Sequence, residues 1–235
     1  MKSLLYKEFK LAMHPICYIF IILFPLMILI PTYPLAVGFL YVLTIYPILF
    51  LGANKGQQSN DLLFSTLLPV RKKDIVLARM ITIMICQAIF IALSALLLPL
   101  AMNVENSVNQ AAIESGQPVP SDAISGLGKG QFVSVLGFVL IAYGICDLIY
   151  FAIYYKKGKS IVASTLISIL FYVVFMMFTT MILPEIEALN EYKNFFVNGD
   201  VANQLIILAI GLLIYIVLHF FTYKISSKEL EKVDF

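Results

Sequence analysis

The chain has 235 residues, of which 61% are hydrophobic and 13% charged, with a mean hydropathy of +0.94. A soluble globular domain is about 45–50% apolar and about 25% charged, and disorder needs low hydrophobicity with high charge, so a polytopic membrane protein remains. The small net charge of +2 is scattered in short segments between apolar runs, which excludes the clustered basic face with aromatic platforms that nucleic acid requires.

In chain order, residues 1–14 come first and predict an amphipathic helix. Ser3, Lys7, Lys10 and His14 recur at helical spacing, with Leu5, Phe9, Ala12 and Met13 opposite. Such a helix is expected to lie in the membrane interface with its lysines toward lipid headgroups. No cleavable signal peptide is expected, because the first apolar run is not followed by a small-residue cleavage site.

Six apolar runs follow, at about 16–31, 35–53, 75–101, 132–155, 161–183 and 201–223. A span needs about 20 apolar residues, so the expected fold is all-α, a single transmembrane domain of six helices over 1–235. The first run carries Pro25 and Pro31, and Pro31-Thr-Tyr-Pro34 reads as the turn into the second. Fourteen of the sixteen Lys and Arg fall in one alternating set of loops, leaving Lys129 and Lys193 in the other. By the positive-inside rule the first set is cytoplasmic, and an even span count then places both termini in the cytoplasm of a multi-pass cell-membrane protein.

Between the second and third runs, residues 58–69 predict a short helix. Ser59 or Asn60 can cap its start, Asp61 suits its positive end, and Pro69 stops it. Its Leu62, Leu63, Phe64, Leu67 and Leu68 give an apolar surface in a short loop, which needs a membrane or another protein to cover it. The segment 102–131 is rich in Asn, Gln, Ser, Gly and Pro and reads as flexible, with a short helix near 106–115.

Little in the chain reads as catalytic. Gly158-Lys159-Ser160 has the tail of a phosphate-binding loop, but the leading glycine is replaced by Ile153 and no strand precedes it. Cys17, Cys86 and Cys146 sit in apolar runs without a CxxC or a histidine partner and read as small buried hydrophobes. His14 and His219 have no carboxylate at i±3 or i±4 and read as interfacial or packed. Asp147 is the one acidic residue inside a run. It is either a proton or substrate contact in an aqueous path, or a carboxyl bonded to a neighbouring helix through Tyr143 or Tyr150, with Arg79 a further candidate partner. Ala163, Ser164, Thr165 and Ser168 allow close helix approach, within the chain or at a dimer seam.

The run from Asn60-Asp61-Leu62-Leu63-Phe64 through Leu67-Leu68-Pro69-Val70-Arg71-Lys72-Lys73-Asp74-Ile75-Val76-Leu77-Ala78-Arg79 resembles the stretch after the second span of ABC-2 type ABC transporter permeases. The layout, with an interfacial N-terminal helix and six spans, is similar over essentially the whole chain. The resemblance implies that 58–69 is a coupling helix that docks on a separate ATPase subunit. Asn60, Asp61, Leu62, Phe64, Leu67, Leu68, Pro69 and Arg71 would be its docking residues. It further implies a non-catalytic subunit with no cofactor of its own, ATP and Mg being held by the partner ATPase, and a second copy or related permease completing the path. Small bacterial exporters of amphipathic peptides, such as the phenol-soluble modulin exporters, look most similar. The alternative is a stand-alone ion-coupled carrier or channel using Asp147.

Overall fold

The structure, a computed structural model, describes residues 2–13, 16–29, 38–39, 41–43, 70–116, 132–156, 161–179, 186–192, 194 and 200–232. The described residues are helical and contain no strand. The elements are α1 (Lys2–Lys7), running into a π-helical turn (Glu8–Ala12); α2 (Ile16–Leu23), tightening into a 3₁₀ turn (Phe24–Leu29); α3 (Lys72–Glu114); α4 (Phe132–Lys156); α5 (Ile161–Met177); and α6 (Val201–Glu231). Residues 187–192 form two short helical turns ahead of α6.

Three helices are long and apolar enough to cross a membrane: Lys72–Glu114, Val133–Lys156 and Ala202–Glu231. They fall on the third, fourth and sixth expected spans. The first and fifth correspond to shorter apolar helices, Ile16–Leu29 and Val162–Met177. The second lies mostly outside the described residues, of which 38–39 and 41–43 are helical. The outward sides of α5 and α6 carry exposed Val162, Leu166, Leu170, Leu213, Ile216 and Phe220, an apolar surface that fits a membrane protein.

Two elements differ from the sequence expectation. α3 does not stop near residue 101 but continues without a break to Glu114. Pro99 lies inside the helix without ending it; hydropathy falls over Asn103, Asn106, Asn109 and Gln110, and Ala111 and Ala112 beyond them are strong helix formers. At about 1.5 Å per residue α3 is roughly 64 Å long, about twice the hydrocarbon thickness. It ends where Gly116 takes a positive φ of 68°, the left-handed conformation that closes a helix.

α1 is the second difference. Its lysines do not all face outward: Lys10 is exposed, whereas Lys7 is buried. The π-helical turn, closed by Met13 N–H donating to Glu8 O at 2.9 Å, puts an extra residue into the turn. A 3.6-residue stripe therefore cannot be carried through it.

The most extensive packing joins α4 to α6, followed by α4 to α5. α4 and α6 cross backbone against backbone: a Cβ on Gly137 would meet Ile207 O at 2.7 Å, and one on Gly211 would meet Gly137 O at 2.5 Å. Small residues are what permit such an approach between membrane helices. On the other side of α4, Ser168 Oγ of α5 donates to Cys146 O at 3.3 Å, and Cys146 Sγ lies 3.5 Å from Ser168 O. The small residues of α5 thus serve contacts within the chain.

Candidate functional site

The proposed docking residues Asn60, Asp61, Leu62, Phe64, Leu67, Leu68 and Pro69 lie outside the described residues. Of that set Arg71 is described. It is exposed and extended (φ −71°, ψ 138°), as the residue that caps α3. Asp74 follows in the first turn, where its charge suits the helix N-terminus. Two residues after Arg71, Lys73 Nζ reaches Glu231 Oε1 at 3.3 Å, and both side chains are about half exposed. This contact sets the start of α3 beside the end of α6.

Farther into α3 lies a buried charge cluster. Arg79 is 2% exposed, Glu8 3% and Lys7 6%. Arg79 Nε donates to Glu8 Oε2 at 3.1 Å, Lys7 Nζ donates to Glu8 Oε1 at 3.2 Å, and Arg79 Nη1 donates to the Tyr154 hydroxyl at 3.3 Å. One carboxylate thus answers two cations, and the guanidinium joins α1, α3 and α4. Removing one partner from such a buried pair costs about 3–5 kcal/mol, because the other charge is left uncompensated. Tyr150, Phe151, Tyr154 and Tyr155 stack around it, with the Tyr150 and Tyr154 ring centroids 6.0 Å apart and those of Phe151 and Tyr155 also 6.0 Å apart.

A second polar layer sits about 12 Å farther along α3, eight residues beyond Arg79. Asp147 of α4 is fully buried. Gln87 Nε2 of α3 donates to Asp147 Oδ2 at 2.9 Å, and His219 Nε2 of α6 lies 3.1 Å from the same oxygen. The Tyr215 hydroxyl donates to Gln87 Oε1 at 2.5 Å. The Tyr215 and His219 rings are 4.1 Å apart between centroids.

Asp147 is thus engaged by neighbouring helices, through Gln87 and His219, neither of which the sequence offers as its partner. Arg79 commits its Nε to Glu8 and its Nη1 to Tyr154. The Tyr143 hydroxyl donates to Gly38 O at 3.2 Å. Tyr143 instead belongs to an aromatic layer with Tyr41, Phe90 and Tyr172. In that layer the Tyr41 hydroxyl has no hydrogen-bond partner among the described residues.

Two of these residues have no place in the sequence analysis, and a third, His219, has no partner there. Gln87 is the only amide in the 75–101 run, and that isolation is a signal that could have found it. Glu8 is the only acid in the basic N-terminal segment, which is a similar signal. His219 was paired only against carboxylates one helical turn away, and its partner is on another helix. The three cysteines are buried, as their setting in apolar runs implies.

Comparison with protein-family models, with curated proteins and with solved structures finds no match to this chain.

Proposed function

We propose that this chain is the membrane-spanning subunit of an ATP-driven exporter of the ABC-2 type. It spans the cell membrane six times with both termini in the cytoplasm, and it lines the path together with a second copy or a related permease. ATP and magnesium reside on separate ATPase subunits that dock on the helix at 58–69. The substrate class is an amphipathic peptide or a hydrophobic compound, since the spans offer few charged groups to a polar solute.

The observation that carries this reading is Arg79. It is the last residue of the permease-like run, and it is buried against Glu8 and Tyr154. A displacement of the docking helix by an ATPase would enter α3 a few residues before the point where α1, α3 and α4 are tied together. That is a way for a local push to become a rigid-body movement.

The test is gentle-detergent purification of the tagged chain from its own cell. A P-loop ATPase is expected at near one-to-one ratio, and the Leu67→Glu, Leu68→Glu double variant is expected to insert normally but lose it. A chain that stays alone even after crosslinking in the membrane overturns the proposal. A second reading, an ion-coupled carrier, is favoured by one observation: Asp147 is fully buried next to His219 in mid-helix. It predicts that Asp147→Asn abolishes transport and that no ATPase is needed.

A further inference from the structure

We propose that His219 and Asp147 form a buried one-proton binding site that fastens α6 to α4. The argument rests on the histidine ring. Its Nδ1 lies 2.9 Å from the Tyr215 backbone carbonyl oxygen. A carbonyl only accepts, so Nδ1 carries a hydrogen. Its Nε2 lies 3.1 Å from Asp147 Oδ2, at ion-pair distance, and has no hydrogen-bond partner among the described residues. A neutral imidazole has a single N–H, and that one is already placed. With Asp147 ionised, a bare Nε2 lone pair would then face a carboxylate lone pair at a buried position, which is costly.

One proton from water resolves the conflict. It forms either an Nε2–H bond, giving an imidazolium against a carboxylate, or an Oδ2–H bond, giving a carboxyl that donates to Nε2. In both forms the pair passes from a charge of −1 to zero, and a small rotation of the ring aligns the contact. Gln87 serves both forms: the Tyr215 hydroxyl on its Oε1 fixes the amide so that Nε2 points at Oδ2.

The ionisable groups facing the pair are Tyr143 and Cys146 from α4, Tyr215 from α6 and Tyr41, with Cys86 of α3 beside Tyr41. Tyr172 of α5 stands behind Tyr143. Arg79 and Lys7 belong to the other polar layer. When the proton leaves, the contact between Nε2 and Oδ2 turns repulsive and the α6 turn around His219 loses its hold on α4. The site does not depend on which transport reading holds, and its failure would leave the ATPase association untouched.

The test uses the full chain in lipid nanodiscs with ¹⁵N-labelled histidine, and His14→Gln to leave one ring. At neutral pH the expected signature is protons on both His219 nitrogens. The equivalent outcome is a protonated carboxyl band in the infrared spectrum that vanishes in Asp147→Asn. Raising the pH until that signature is lost is expected to speed amide exchange around residues 215–223. In Asp147→Asn no carboxylate remains to share the proton with Nε2, so the pH response disappears while helix content is kept. A bare Nε2 beside an ionised carboxylate at neutral pH, or a bare Nδ1, overturns the proposal. Unchanged exchange across the titration overturns the fastening. The nitrogen resonances of the chain with Asp147 intact decide the matter even if the Asp147 variant does not fold.

Discussion

Arg79 concentrates more structural consequence than any other charged side chain described. Its guanidinium is desolvated, and Glu8 sits between it and Lys7. Replacing Arg79 or Glu8 alone by Gln leaves the other charge buried with part of its compensation gone, a cost of about 3–5 kcal/mol. The Glu8→Gln, Arg79→Gln double variant removes both and is expected to lose less than the sum of the singles, the mark of a coupled pair. Thermal unfolding of the four proteins, followed by circular dichroism in one detergent, measures this. Strict additivity would sink the pairing. The pair was only half legible in the sequence. Arg79 was noticed as a charge at the head of a run, but Glu8 is 71 positions away, and no local periodicity links the two. Asp147 and His219 give the same lesson: each was singled out, and neither could be assigned the other.

At the level of elements, apolar runs translated well into helices, and helix ends did not. α4 and α6 lie where unbroken hydropathy put them. α3 overran its expected end because membrane hydropathy and helix formation are separate properties, and the fall in hydropathy after Met102 does not by itself stop a helix. Gly116 then marks the true end. A β-carbon there would sit in the left-handed region, which costs roughly 1–2 kcal/mol. Gly116→Ala is therefore expected to fray the last turn, seen as faster amide exchange near 112–116 with the rest of α3 unchanged. The α4–α6 crossing was not legible, because the spacing of Gly137 and Gly144 identifies a narrow face but not the helix that fills it. The contact of Gly211 with Gly137 predicts that Gly211→Val forces the helices apart and destabilises by about 1–3 kcal/mol. Gly116→Ala, with open space around the added carbon, is expected to leave the thermal midpoint almost unmoved. Equal effects of the two substitutions would show that the backbone contact is not what holds the crossing.

For the whole molecule, the ends of the bundle have opposite chemistry, and this bears on orientation. The contact between Lys73 and Glu231 puts the start of α3 and the end of α6 at one end. Ser107 lies 34 residues along α3 from Lys73, about 51 Å away on an ideal helix and well beyond the hydrocarbon thickness of roughly 30 Å. Ser107 and Lys232 therefore belong to opposite ends, and both are exposed. The lysine-rich end holds Lys72, Lys73, Lys156, Lys228 and Lys232, whereas the Ser107 end of α3 carries no Lys or Arg between Arg79 and Gly116. On the proposed topology, which follows the positive-inside rule, the lysine-rich end is the cytoplasmic one. The native cysteines are buried, so a new surface cysteine gives a clean readout. With a membrane-impermeant maleimide, Ser107→Cys is expected to label in intact cells and Lys232→Cys only after permeabilisation. The reverse pattern would invert the chain in the membrane and remove the 58–69 segment from reach of any cytoplasmic ATPase. Labelling of both in intact cells would mean that α3 does not cross the bilayer between these two points, and the six-span arrangement would fall with it.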